Sequence, residues 1–113
     1  MSTPTVTAFT PATELTLRRL KALGEPLRWR VLEALAGGEL CVCDLCDRLQ
    51  VAQPKLSFHL KVLREAELID VRHDHRWAFY RLRPQAFREL QASLAPYTAE
   101  AATLTATASS SCC

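Results

Sequence analysis

Apolar residues recur three and four positions apart through Leu20, Leu23, Leu27, Val31 and Leu35. That spacing keeps one side of a helix apolar and marks a buried helical face. Gly24-Glu25-Pro26 interrupts the register, so two helices are expected, about 11–23 and 26–36, with Gly37-Gly38 ending the second. Thr10-Pro11 reads as an N-cap followed by proline at the first helical position. Leu45 and Leu49 mark the inward face of a short helix over about 42–49. Leu56, Leu60 and Leu63, with Val62 beside them, mark another over about 54–66. Gln50-Val51-Ala52-Gln53 joins these two, and short helices linked so tightly suggest a helix-turn-helix.

From Leu68 the period changes. Ile69-Asp70-Val71-Arg72 and Trp77-Ala78-Phe79-Tyr80-Arg81-Leu82 are rich in β-branched and aromatic residues around the polar His73-Asp74-His75-Arg76. This predicts a β-hairpin, although its turn has no glycine. Pro84 opens a last helix, about 84–95, with Phe87, Leu90 and Leu94 on one face and Pro96 at its end. The expected fold class is mainly α with a β-hairpin, in the order ααααββα: a winged helix-turn-helix. One domain, residues 10–97, is expected between a Thr-rich arm at 1–9 and an Ala/Thr/Ser-rich flexible tail at 98–113 that closes on Cys112-Cys113.

Composition narrows the setting. No apolar run reaches the roughly 18 residues that cross a bilayer, and the first residues lack the basic start and apolar core of a secretory signal. No membrane association is expected. A cytoplasmic location follows, where thiols stay reduced. Five cysteines, clustered and odd in number, also argue against a disulfide framework. The net charge of +2 is a weak pointer to a polyanion. Its distribution says more: Lys55, Lys61, Arg64, Arg72, Arg76, Arg81 and Arg83 outnumber Glu65, Glu67, Asp70 and Asp74 between positions 55 and 83.

That segment holds the expected DNA-reading element. Gln53, Lys55, Ser57, His59 and Lys61 interleave with the leucines, and the pairs Lys55/His59 and Ser57/Lys61 are expected to point away from the leucine face. Such side chains can donate to base edges or phosphates. Many amphipathic helices carry solvated polar residues like these. The tight turn before this helix and the basic hairpin after it favour DNA. In the hairpin, Arg72, His73, His75 and Arg76 can meet the phosphate backbone or a minor groove. His73 and His75 can also be read as metal ligands, but no acidic or cysteine partner is obvious nearby.

The remaining chemistry lies in Glu-Leu-Cys-Val-Cys-Asp-Leu-Cys, residues 39–46, where Cys41, Cys43 and Cys46 fall within six positions. Three thiolates suit a soft ion and discriminate against Mg, Ca and Mn. Buried cysteines also serve simply as small apolar fillers. A helix turns about 100° per residue, which places Cys43 and Cys46 roughly 60° apart and Cys41 about 160° from Cys43. All three sulfurs can meet only if Cys41 lies outside the helix or the first turn unwinds. Cysteine is also a poor N-cap. A site that deforms the first helix of a DNA-reading motif would act as a switch. Cys112 and Cys113 can add ligands or act as a redox handle, at the entropic cost of ordering a tail.

Leu40-Cys41-Val42-Cys43-Asp44-Leu45-Cys46 followed by Ser57-Phe58-His59-Leu60-Lys61-Val62-Leu63 resembles the ArsR/SmtB family of metal-sensing repressors, above all its arsenic-responsive branch. The resemblance covers about residues 14–97. It implies a homodimer, paired through the first and last helices, that binds a pseudo-palindromic double-stranded operator and releases it when As(III) or Sb(III) binds. By the same resemblance Cys41, Cys43 and Cys46 are the thiolate ligands, the helix at 54–66 is the recognition helix, and Arg72 to Arg76 form the wing. Other branches hold Zn(II) through an Asp-x-His site on the last helix, but residues 84–91 here contain no histidine, so no such site is expected. Ala52 stands where a capping serine is common, and Asp74 where a wing glycine is common. A sensor of Cd(II) or Pb(II) is the alternative within this fold, with Cys112 or Cys113 as a fourth ligand. A thiol enzyme is the alternative from another class. It lacks support, since there is no Cys-x-x-Cys in a βαβ setting, no phosphate loop and no general-base constellation.

Overall fold

The computed structural model describes residues 9–99. Helix α1 spans Pro11–Leu23 and α2 Pro26–Leu35. Both begin as the sequence predicts, with proline in the first turn, and both are capped by a side chain. Thr10 Oγ1 accepts from the Thr13 amide at 3.1 Å, and the Glu25 carboxylate accepts from the Arg28 amide at 2.8 Å. A two-residue strand β1, Leu40–Cys41, precedes α3, Val42–Leu49, and α4, Gln53–Glu65. Strands β2, Ile69–Asp74, and β3, Trp77–Leu82, form the hairpin. Helix α5 spans Pro84–Leu94 and runs into a 3₁₀ turn at Ala95–Thr98.

The architecture is a winged helix-turn-helix, mostly helical around a small antiparallel sheet. Strand β1 is an addition to the expected element order. It lies on the outer side of β3, so the sheet order is β1-β3-β2. Two residues are too few to leave a periodic signal; only the pairing of Leu40 with Tyr80 and Cys41 with Phe79 makes this a strand. The hairpin closes over a two-residue turn, His75-Arg76, between paired Asp74 and Trp77. Of those two residues only His75 has positive φ, 61°, the pattern of a II′ turn, where glycine is normally preferred.

Leucines from three helices and the link after α4 fill the core: Leu35, Leu45, Leu56, Leu60, Leu63 and Leu68 are all buried. The α3–α4 link turns sharply because Gln50 adopts a left-handed conformation, φ 54°. Helix α4 ends in a Schellman motif. The Leu68 amide reaches the Leu63 carbonyl at 3.0 Å and the Glu67 amide the Arg64 carbonyl at 2.9 Å, with Glu67 at φ 58°.

In α1 the structure corrects the expected buried face. Its inward residues are Arg19 and Ala22, while Leu20 and Leu17 are exposed. The reason is a buried guanidinium with partners on two other elements. Arg19 Nε donates to the Ala66 carbonyl at 3.0 Å, and Nη1 to Glu89 at 2.7 Å, tying α1 to the end of α4 and to α5. With Arg19 inward, Leu17 and Leu20 turn toward Leu94 and Tyr97, and the four line one shallow concavity. In α5, accordingly, Leu90 is buried, whereas Leu94 is exposed.

Candidate nucleic-acid interface and thiol cluster

Helix α4 presents Gln53, Lys55, Ser57 and Lys61 to solvent. Ser57, Lys61 and Arg64 line one wall of an open groove of about 700 Å³ whose other wall is Val71, Tyr80 and Arg83 of the hairpin side. The groove thus lies between the exposed helix face and the wing, with five cationic or hydroxyl side chains around it, Ser57, Lys61, Arg64, Tyr80 and Arg83, beside the carboxylates of Glu65 and Asp70. Arg64 and Arg83 belong to this surface; the sequence places them in the basic segment but does not single them out as DNA contacts. Arg64 follows Lys61 by three residues, a spacing that marks it. Arg83 pairs with Asp70 at 3.1 Å, a tertiary contact that no local pattern reveals. Phe58 is 59% exposed at the centre of the helix, an apolar group among donors.

His59 is a correction. It is only 7% exposed and faces α2, where its Nδ1 lies 3.0 Å from Arg28 Nη1 and 3.9 Å from Glu25. Its place on the helix explains this. Three residues after Leu56 and four before Leu63, it lies roughly 60° from Leu56, at the edge of the buried stripe rather than across from it. His59 therefore anchors α4 to α2 and does not reach a groove.

The hairpin residues divide. His73, His75 and Arg76 are exposed, and His75 Nδ1 lies 2.8 Å from the Asp74 carboxylate. Strand β2 stops at Asp74, so His73 and His75 do not continue one strand face. Arg72 is engaged within the molecule. Its Nε and Nη2 donate to the two carboxylate oxygens of Glu39 at 2.9 and 2.8 Å, and its guanidinium lies 4.7 Å above the Phe79 ring. Arg72 in turn holds the Glu39 carboxyl below the ordinary carboxylate range.

The cysteines occupy three environments. Cys41 is outside the helix, as one of the two geometric options required. It is extended (φ −86°, ψ 165°), buried, and takes the N-cap position of α3 without a side-chain hydrogen bond. Cys43 is exposed. Cys46 is half-buried and packs against the core, and burial, followed by the neighbouring Cys43, pushes its thiol above the ordinary value. Cys41 and Cys43 share a cleft of about 230 Å³ with Gln53, Arg76 and Trp77; Cys46 does not line it. Among the described residues no three His, Cys, Asp or Glu side chains converge on one point. The donors are chemically suited to a soft trivalent ion, but in this conformation they are not gathered. Cys112 and Cys113 lie outside the described residues.

Residues 25–71 match the family described as bacterial regulatory protein, arsR family. The arsenical resistance operon repressor of Escherichia coli (strain K12) is 44% identical over 71 residues, 62% of this chain and 61% of that protein. An uncharacterized HTH-type transcriptional regulator of Methanocaldococcus jannaschii is 37% identical over 71 residues, 62% of this chain and 80% of that one. A crystal structure of a possible transcriptional regulator for arsenical resistance superposes with a TM-score of 0.66 at 34% identity, covering 74% of this chain and 86% of that chain. The match to the E. coli repressor thus spans about three fifths of its length.

Proposed function

This chain belongs to the ArsR family of bacterial transcriptional regulators, and from that premise we propose that it is a homodimeric repressor that leaves its operator when As(III) or Sb(III) binds its cysteine thiolates. The family is one of regulators rather than enzymes, so the thiols are read as ligands and not as nucleophiles.

One observation carries the reading: Cys41 is at once the N-cap of α3 and a strand partner of Phe79 in the wing. A ligand that draws Cys41 toward Cys43 therefore acts on both parts of the DNA-reading surface. The cap it disturbs has no side-chain hydrogen bond to lose. Lys55, Ser57 and Lys61 supply the helix contacts, with Gln53 at its start and His73, His75 and Arg76 on the wing. The exposed Leu17, Leu20, Leu94 and Tyr97 support pairing of two copies through α1 and α5. Two such copies place their recognition helices on half-sites about one helical turn, roughly 34 Å, apart or a multiple of it.

Arsenite, antimonite, cadmium and zinc titrated against operator-bound protein test this, with Cys41, Cys43, Cys46 and the Cys112-Cys113 pair replaced in turn. Release by arsenite and antimonite that is lost with Cys41 and Cys43 is expected. Release by cadmium, dependent on the terminal pair, replaces this reading with that of a Cd(II)/Pb(II) sensor. On the DNA side, Lys61→Ala is expected to weaken binding to all sequences and to reduce the salt slope by about one.

A further inference from the structure

Phe79 stands in the middle of a row that crosses the sheet. Cys41 of β1 is its partner on one side and Arg72 of β2 on the other. Directly paired residues point to the same face of a sheet, and the Arg72 guanidinium does lie over the Phe79 ring. Glu39, two residues before Cys41, takes the same side of its chain and meets both donors of Arg72 in a bidentate pair. A thiol proposed as a ligand and a wing arginine are thus joined through one ring, one carboxylate and one short ladder.

We propose that Glu39 is a positioning residue. By clamping Arg72 onto Phe79, it fixes the wing relative to β1, so that the wing's pose follows the position of Cys41. The inference rests on the thiolate-release reading above. Its logic is mechanical. Strand β1 has two residues, and they pair only with Tyr80 and Phe79. Cys41 is buried in that row while Cys43 is exposed, so bringing their sulfurs onto one ion turns Cys41 out of the row. Glu39, on the same short segment, then moves off Arg72, and β2 loses its tie to β1. An exposed ion pair ordinarily adds little stability. The clamp needs little, because its role is to select one arrangement of wing and thiol strand among several of similar energy.

The clamp makes a prediction opposite in sign to simple electrostatics. Removing a negative charge near a DNA-binding surface normally strengthens binding. Glu39→Gln is expected to weaken it in the arsenite-free protein by about five-fold, the low end of usual coupling factors, because the wing is no longer held. Arsenite-loaded operator affinity should stay the same, since there the clamp is already open. Arsenite binding at the thiols, followed by thiolate–arsenic absorbance without DNA, should keep its stoichiometry.

The experiment uses the full chain, wild type and Glu39→Gln. Operator affinity is measured with and without arsenite, and amide exchange over residues 72–77 in the arsenite-free protein. Several-fold faster wing exchange and a selective loss of arsenite-free affinity support the clamp. Unchanged exchange, tighter DNA binding, or an equal loss of affinity in both states overturns it. If the wild type binds arsenite without releasing DNA, the thiolate-release reading fails. The exchange arm still decides whether Glu39 holds the wing.

Discussion

Replacing Cys41 by serine separates its place at the N-cap of α3 from the ligand role proposed for it. Its backbone is already in the extended N-cap conformation, and its side chain makes no cap hydrogen bond. Thr10 shows what a hydroxyl does in that position, accepting from the amide three residues on at 3.1 Å. A serine oxygen at position 41 can do the same for the Cys43 or Asp44 amide, which is worth about 1 kcal/mol. Burying a hydroxyl without a partner costs about 1–3 kcal/mol, but a capping hydroxyl has one, so only the lost sulfur contacts oppose the gain. For a domain of this size 1 kcal/mol corresponds to a rise in Tm of about 4 °C or somewhat more. Thermal melts by circular dichroism, at fixed protein concentration because self-association makes Tm depend on it, read this directly. Anisotropy of labelled operator reads the function. Cys41→Ser is expected to be more stable, to bind operator without arsenite, and to ignore arsenite. A Tm lower by several degrees refutes the capping argument. Release by arsenite at wild-type concentrations refutes the assignment of Cys41 as a ligand.

Glu67→Gly should raise the urea midpoint. The left-handed position at φ 58° costs a side chain about 1 kcal/mol; the entropy of glycine in the unfolded chain returns part of it, and the lost contact to Arg19 is a distant 3.9 Å. A net gain of about 0.5 kcal/mol is expected, and a fall in the midpoint contradicts it. Arg19→Ala removes a buried guanidinium that bonds Ala66 and Glu89, and chemical denaturation should show a loss of about 3 kcal/mol. Stability against pH should be flat between about 5 and 9 and fall on both sides. Glu25, Glu39 and Glu89 are held below 4.5 by the Arg28 amide, Arg72 and Arg19 respectively, so their contribution is present above that value and lost as pH falls through the folded pKa values. Cys46 is raised above 9.0 by burial, so its contribution is present below that value and lost as pH rises through the folded one. Urea midpoints from pH 3 to 10 check both limbs.

Local chemistry made most of the elements legible. Prolines at the first turns, Gly24 and Gly37-Gly38 mark helix ends, and the four-residue spacing of Leu56 and Leu60 marks the inward face of α4. These signals are visible because each depends on a few neighbouring residues. The close spacing of the thiols was legible for the same reason, as was the choice between Cys41 outside the helix and an unwound first turn, of which the fold takes the first. What failed were the cases where a distant group sets the outcome. His59 looks like a polar surface residue until Arg28 of α2 supplies a buried partner. Leu20 looks like core until Arg19 takes the inward position, because Ala66 and Glu89 satisfy its guanidinium. Strand β1 has no local pattern at all and exists through its pairing with β3. The sequence alone thus determined the helix-turn-helix, the hairpin and the clustering of Cys41, Cys43 and Cys46 along the chain, all properties of local periodicity and residue type. Only the tertiary structure decided which polar side chains are buried and that Cys41 and Arg72 flank one ring, because those depend on partners about 30 to 70 positions away along the chain.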